Sequence, residues 1–522
     1  MRKNKSDLKM VPFLSMLLFY LSIILFLYYT FRNNKPLNWN IILNGFTFNF
    51  RQDDEILRIP GPLRLPFVGT KWTQLVIKMN KLHEFYAKMH ETYGDIVLEM
   101  SGNIPVVSLY NRLDIEKVLK FPSKHPFRPE TEIISYFRRS HPERYPSTGL
   151  VNMQGHEWAR LRALLATKTI ENRKCLKRSC PDLNEMCDDF IADMRRKRND
   201  ANVIYDVHDS IKTLSVDATF SLILGKRLKH FHNGKEKLEE LKLCVNNIFK
   251  SFRDSTFGLQ LWKYFPTKLY KEFGKNETRV YEITSEIIRE TLQKEDIRRP
   301  ETENDTILVT ILKAKELEHG DKICGVVDFL SAGVDVFAHT VCFLLHHLSD
   351  KPEVQERIYE EVMNMDDDPT HEDFSRFHYT RAAIHESYRL TPVAHALARV
   401  IEENTSCSGY LLKPGTVVLC QTMVASSKED NFEDSLSYKP ERWLQENGEF
   451  DPNITPGSIV VSPFGTGRRI CPGKKFVDLL LIIFLTKLVK AFRISYLSEF
   501  DREFEYLVAP KRPVNIQFHD RD

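Results

Sequence analysis

The sequence predicts a mainly α-helical protein with a small β part, a single large domain set behind an apolar N-terminal segment. Three observations carry this. From about residue 75 to 380 apolar positions recur three and four apart, as in "KLHEFYAKMHETYG", which Gly94 ends, and "RVYEITSEIIRETLQKEDI". Farther on the texture changes: "GTVVLCQTMVAS", residues 415–426, reads as a strand following the turn at "KPG". Residues 428–461 are then loop-rich, with turn signals at Pro440, Asn447-Gly448 and Pro452.

In chain order, residues 10–31 come first; they carry no charge and are long enough to cross a bilayer as a helix. The stretch is too long for a cleaved signal, and no small-residue cleavage site closes it. Arg2, Lys3, Lys5 and Lys9 precede it and Arg32 and Lys35 follow, so the flanking charges set no firm orientation. "RIPGPLRLPFVGTKW", residues 58–72, holds Pro60, Pro62 and Pro66, which stiffen it into a spacer. The expected division is therefore 1–35 as basic N-terminus and transmembrane anchor, 36–74 as linker with a proline-rich hinge, and 75–522 as catalytic domain. "RRPETENDT", residues 298–306, reads as a polar surface loop. A net charge of +3 gives no nucleic-acid footprint. The nine cysteines are scattered without a CxxC pair, against a zinc module and in keeping with a reducing compartment.

The chemistry gathers at "FGTGRRICPGKKF", residues 464–476. Gly465 and Gly467 make the loop pliable, and Cys471 enters a helix through Pro472, a residue suited to a first turn. The helix dipole and the neighbours Arg468, Arg469, Lys474 and Lys475 would then favour thiolate, fit for a nucleophile or an axial haem ligand.

Phe464, Gly467, Arg469, Cys471 and Gly473 fill the pattern FxxGxRxCxG, which resembles the haem-binding loop of the cytochrome P450 family. That resemblance implies the P450 fold, haem b with Cys471 as its iron ligand, and electrons from NADPH through a redox partner. "HESYRL" matches the family's ExxR at Glu386 and Arg389, and Arg442 in "YKPERWL" matches the third member of its buried charge network. ExxR also occurs at Glu157/Arg160 and Glu286/Arg289, read here as surface helix pairs; only Glu386/Arg389 stands in the right order before the cysteine loop. Trp158 and Arg162 in "HEWARLR", with Arg399 and Arg469, match the groups that bind the haem propionates.

"AGVDVFAHT", residues 332–340, resembles the oxygen-facing segment of the family's long distal helix. The resemblance makes Ala332 and Gly333 the gap for oxygen, and Asp335 the proton donor. Val336 stands where the family has threonine, with Thr340 one turn on as a partial substitute. From residues alone, the stripe Asp328, Ser331, Asp335 and His339 also suits a water-facing side. Family position puts Phe329, Ala332, Val336, Val393, Ala394 and Leu397 in the substrate pocket, with residues of the 127–150 loop.

Longer stretches, among them "DIEKVLKFPSKHPFRPETEII" and "ARVIEENTSCSGYLLKPGTVVLCQTMVA", resemble ecdysteroid-hydroxylating members of the mitochondrial-type clan. They imply a steroid substrate, ecdysone hydroxylated to 20-hydroxyecdysone, and a ferredoxin with its reductase as partners. Arg468, Lys474, Lys475, Arg376 and Arg381 would form the docking face. The apolar anchor instead favours the endoplasmic reticulum, with NADPH-P450 reductase as partner and membrane lipid around it; the mitochondrial inner membrane is the alternative. Val336 keeps open a haem-thiolate isomerase or lyase that consumes no oxygen. A P450 acting on another steroid or lipophile, and a non-catalytic binder, stay open too.

Overall fold

The computed structural model describes residues 55–521 apart from 66–68, 74–76, 102–103, 259, 295–304 and 498–499. The expected anchor at 10–31 lies outside the described residues, as does most of the polar loop at 298–306. Thr306, at that loop's end, caps the helix Ile307–Lys313 by accepting from the Val309 N–H at 3.2 Å.

The start of the proline-rich stretch, around Pro60, is packed. Ile59 is buried, and the Leu98 N–H donates to the Pro60 carbonyl at 2.8 Å. A Cβ on Gly61 would stand 2.1 Å from the Leu98 carbonyl oxygen, so only glycine lets the chain lie flush on that strand. The folded unit reaches back to the turn Glu55–Arg58, and the expected spacer is a strap across the sheet.

That sheet has four strands in the order Ile96–Ser101, Ile104–Leu109, Val417–Cys420, Leu397–Val400. The outer pairings are antiparallel and the central one parallel. Val418 pairs with Val107 on one side and Arg399 on the other, which fixes Arg399 on the last strand. The first two strands interrupt the region that reads as helical. The expected strand at 415–426 is also shorter: it stops at Cys420, where its neighbours end at Leu109 and Leu397. Past Cys420 the Gln421 N–H still donates to the Leu109 carbonyl at 2.9 Å, and the chain then turns into the short helix Thr422–Ser426, closed by the Ser426 hydroxyl on the Met423 carbonyl at 2.9 Å.

The helix His319–Ser349 runs through the centre and packs chiefly on His208–Leu224, with Gly234–Phe257 and Lys268–Lys294 beside it. Burial of Val326, Leu330, Val334, Phe337, Val341 and Leu345 makes this a core helix, held by apolar area removed from water. Residues 428–461 carry only the turns Pro440–Trp443 and Pro456–Val460 as helical structure. After the helix Lys474–Ala491, a hairpin joins Arg502–Phe504 to Val508–Pro510 and returns the chain to the central helix.

Candidate active site

Cys471 is the single exposed cysteine of the nine; Cys175 is half-buried and the rest are buried. Its loop is pinned by its own N–H on the Phe464 carbonyl at 2.8 Å, and Gly465 and Gly467 take positive φ of 74° and 65° to make the turn. The helix starts at Lys474, with Gly473 as N-cap, so Pro472 lies in the turn before it and not in its first turn. The expected thiolate bias is also reversed. Although the residue keeps an exposed face, desolvation by the protein around it pushes the Cys471 thiol above its ordinary range, outweighing the backbone N–H groups of Gly473 and Lys474 and the charge of Arg162 that pull it down. Coordination to a metal would remove that thiol proton outright.

Behind this loop Glu386 and Arg389 are fully buried and paired two-fold, Nε to Oε2 at 2.9 Å and Nη2 to Oε1 at 2.8 Å. Arg442 Nε donates to Oε1 at 2.9 Å, and the Lys439 N–H to the same oxygen at 3.0 Å. Trp443 Nε1, which sequence reasoning missed, donates to Oε2 at 2.8 Å. Arg389 also donates to the carbonyls of Ser426 and Ser437, both at 3.0 Å. The other ExxR pairs differ. Glu157 and Arg160 meet at 2.9 Å on an exposed face, whereas Glu286 faces Lys237 at 3.3 Å and Arg289 donates to its own helix at the Ser285 carbonyl.

Of the expected propionate arginines, Arg162 is already ion-paired with Glu171. Arg399 and Arg469 are different: Arg399 donates to the carbonyls of Ala398 and Thr466, at 2.9 and 3.2 Å. Arg469 donates to the carbonyls of Pro126 and Met153 and to Gln154 Oε1, at 2.8 to 2.9 Å. Its guanidinium lies 3.9 Å over the ring of buried Trp158, so Trp158 orients Arg469 by a cation–π contact. Burial and then the charges of Arg128, Arg399 and Arg162 push the Arg469 pKa down to about 9. Buried Arg399 and half-buried Arg469, whose partners among the described residues are all neutral, fit a ligand carrying two carboxylates, and exposed Cys471 fits its iron. The haem implied by the loop motif suits this donor set.

On the central helix, Ala332 is exposed between buried Leu330 and Val334, as the gap requires. Gly333 serves another purpose. A Cβ there would stand 2.4 Å from Thr219 Oγ1, and the Ser215 hydroxyl donates to the Gly333 carbonyl at 2.8 Å. Gly333 thus makes room for the neighbouring helix, not for oxygen. Gly333→Ala should destabilise by about 1–3 kcal/mol through overpacking. Adding Thr219→Ala should recover most of that loss, which denaturant unfolding of the four-member cycle would measure.

The polar stripe does not face water either. Asp328 accepts from Arg138 Nη2 at 2.8 Å and from the Leu150 N–H at 3.0 Å, and Arg138 also holds buried Glu277 at 2.9 Å. Asp335 pairs with buried Lys212 at 2.5 Å. Thr340 donates its hydroxyl to the Val336 carbonyl at 2.8 Å, so its hydrogen is committed inside its own helix and only lone pairs remain for a substitute role.

Val336 and Val393 share an apolar cluster with Leu82, Tyr86, Phe343, Phe504 and Val508, and the Val508 N–H donates to the Val393 carbonyl at 2.8 Å. The contribution of the C-terminal hairpin was not foreseen. Ala394 is half-buried beside Val393. Phe329 and Leu397 instead join the main core, Leu397 reaching toward Gly465 of the cysteine loop. In the expected docking face, Arg381 is enclosed between the rings of Phe374 and Phe450, at 4.7 and 4.5 Å, and Lys474 pairs with Asp478; Arg468 and Lys475 stay exposed.

A family model described as cytochrome P450 matches residues 59–518. The chain belongs to the cytochrome P450 family and is a haem-dependent monooxygenase taking electrons from NADPH through redox partners. Among its relatives, ecdysone 20-monooxygenase of Drosophila melanogaster is 44% identical over 481 residues, 89% of this chain and 88% of the relative. Cytochrome P450 302a1, mitochondrial, of the same fly is 28% identical over 453 residues, 84% and 89% of the two chains. The rat (Rattus norvegicus) 1,25-dihydroxyvitamin D(3) 24-hydroxylase, mitochondrial, is 27% identical over 479 residues, 89% and 90% of the two. These names lend no support to the endoplasmic reticulum.

Proposed function

We propose that the protein hydroxylates a steroid, converting ecdysone to 20-hydroxyecdysone. The observation that carries this is its likeness to the fly ecdysone 20-monooxygenase along nearly the whole chain. Haem held by Cys471, with Arg399 and Arg469 on its carboxylates, supplies the oxygen-activating chemistry when bound. Phe464, Gly467 and Gly473 shape the loop that presents the sulfur, Trp158 supports Arg469, and Arg162, paired with Glu171, adds positive charge beside the propionate site. Ala332, Val336, Val393 and Ala394 offer an apolar wall that orients a steroid and excludes water; Phe329 and Leu397 back it from the core. Asp335, held by the Lys212 ammonium, takes up and releases the protons the reaction consumes, and Thr340 offers lone pairs one turn away.

We assign the protein to the mitochondrial inner membrane, with a ferredoxin and its reductase as electron source. Two relatives carrying "mitochondrial" in their names outweigh the apolar character of residues 10–31. Arg468 and Lys475 are exposed cations for that docking face, and Arg376, also exposed, pairs with Asp373 at 3.0 Å.

Purified protein given ecdysone, NADPH, ferredoxin and reductase should yield 20-hydroxyecdysone, identified by mass spectrometry. Haem-loaded protein that gives none would overturn the substrate. Val336 favours one second reading, an isomerase acting on an oxidised lipid. Turnover of a hydroperoxide alone, with no ecdysone product, would bring that forward.

A further inference from the structure

The helix His378–Leu390 carries His385 and Tyr388 one turn apart, on one side, and Tyr388 meets the cysteine loop. Tyr388 is 7% exposed, and its ring packs edge-on against the Phe464 ring, centroids 5.5 Å apart at 84°. Phe464 in turn holds the Cys471 N–H on its carbonyl at 2.8 Å. The Tyr388 hydroxyl has no hydrogen-bond partner among the described residues. Neither has Nε2 of His385, whose ring centroid stands 6.4 Å from that of Tyr388. A buried hydroxyl without a partner is rare in folded proteins. Phenylalanine would make the same ring contact, so the oxygen is left for another task. Burial first, then the charges of Asp478 and Cys471, hold the phenol well above its ordinary range. It therefore keeps its proton and stands as a donor beside two acidic groups.

We infer that Tyr388 is a positioning residue for the iron ligand, its hydroxyl donating to the Cys471 sulfur, directly or through one water, and so raising the reduction potential of bound haem. The inference rests on the reading of Cys471 as that ligand. Three groups near the hydroxyl can accept, and charge decides between them. His385 is neutral, its pKa pushed down to about 3, chiefly by burial, and a bond to a charged group is roughly twice as strong as a neutral one. Asp478 is already paired with the Lys474 ammonium, which offsets its charge. The sulfur remains, an anion once it binds the metal. A donor there draws electron density away from the iron, and hydrogen bonds at a metal ligand are a general lever on potential. The ferrous state, with one electron more, gains most from that withdrawal. The step adds this electron to the iron, and the Tyr388 proton stays on its own oxygen.

Tyr388→Phe keeps the ring and removes the hydroxyl. A redox titration of the haem-loaded variant, followed by absorbance, should find the ferric–ferrous equilibrium moved roughly tenfold toward ferric, a fall of about 59 mV for one electron. The Fe–S stretch in resonance Raman spectra should rise, because a sulfur freed of its donor binds iron more strongly. A merely structural hydroxyl would move neither. An unchanged potential and stretch would overturn the inference. The route is tested by repeating the change in an Asp478→Asn background. A shift of the same size there supports the sulfur as acceptor; a shift that vanishes would assign the hydroxyl to Asp478 and sink the inference. Cys471→Ser should lose the native Soret band. Should that variant keep the band, the ligand reading fails and this inference falls with it. A lost band together with an unmoved Tyr388→Phe potential would leave the ligand standing and remove Tyr388 alone.

Discussion

Glu386→Gln should leave little folded, haem-loaded protein, with a loss of about 3–5 kcal/mol, the cost of breaking a buried ion pair and stranding its partner. Glu386 is 0% exposed and accepts from Arg389, Arg442, Lys439 and Trp443. Glutamine keeps one acceptor oxygen but removes the charge, and its NH2 group turns a donor toward donors. Arg389, also 0% exposed, would then face only carbonyls. Native stabilities are typically about 5–15 kcal/mol, so this single change takes a large share. Glu157→Gln supplies the comparison. The same ExxR spacing there spans a surface pair with 55% and 38% exposed side chains, so stability should move by no more than about 0.5 kcal/mol. Urea unfolding and the haem-to-protein ratio of the two variants would check both. If Glu386→Gln unfolds like the native protein, the network is not what holds this face together.

The contrast also shows what could be read from the chain and what could not. Motif order picked out Glu386 among three ExxR occurrences, because local spacing is identical in all of them. The helices ending at Gly94 and covering residues 279–294 were legible from apolar periodicity, and so was the cysteine loop from its glycines. Spacing along the chain, however, cannot say which neighbour a side chain meets. Gly333 reads as space for a ligand until Thr219 is found against it. Arg162 reads as an anion-binding cation until Glu171 is found on it, nine residues along and around a helix end. The strand at 417–420 stops where its partners stop, a limit set by residues far away in sequence. The first hairpin did carry a signal, "SGN" between two apolar runs, which a helical reading of the surroundings hides.

Arg469→Met should weaken haem retention by roughly tenfold to a hundredfold, the equivalent of one charge-assisted hydrogen bond of about 1.5–3 kcal/mol. The size follows from its partners. Among the described residues Arg469 donates to two carbonyls and one amide, with no carboxylate to balance it, and Arg399 donates only to carbonyls. The pKa of Arg469, pushed down to about 9 by burial and positive neighbours, marks the cation as held against a cost. Methionine keeps an apolar stem to cover Trp158 while removing the charge, so haem-free protein should lose much less stability than the complex. Arg162→Met should behave in the opposite sense. Its carboxylate partner Glu171 is already present, so removing Arg162 strands a charge in the haem-free protein and should lower stability with or without haem. Transfer of haem to an apoprotein acceptor gives retention, and thermal unfolding of loaded and haem-free protein gives the rest. Equal retention by Arg469→Met and native protein would mean that the unbalanced arginine does not serve the propionates. The carboxylate-binding role would then fall on Arg399 alone, the remaining buried cation of the cluster without an acidic partner.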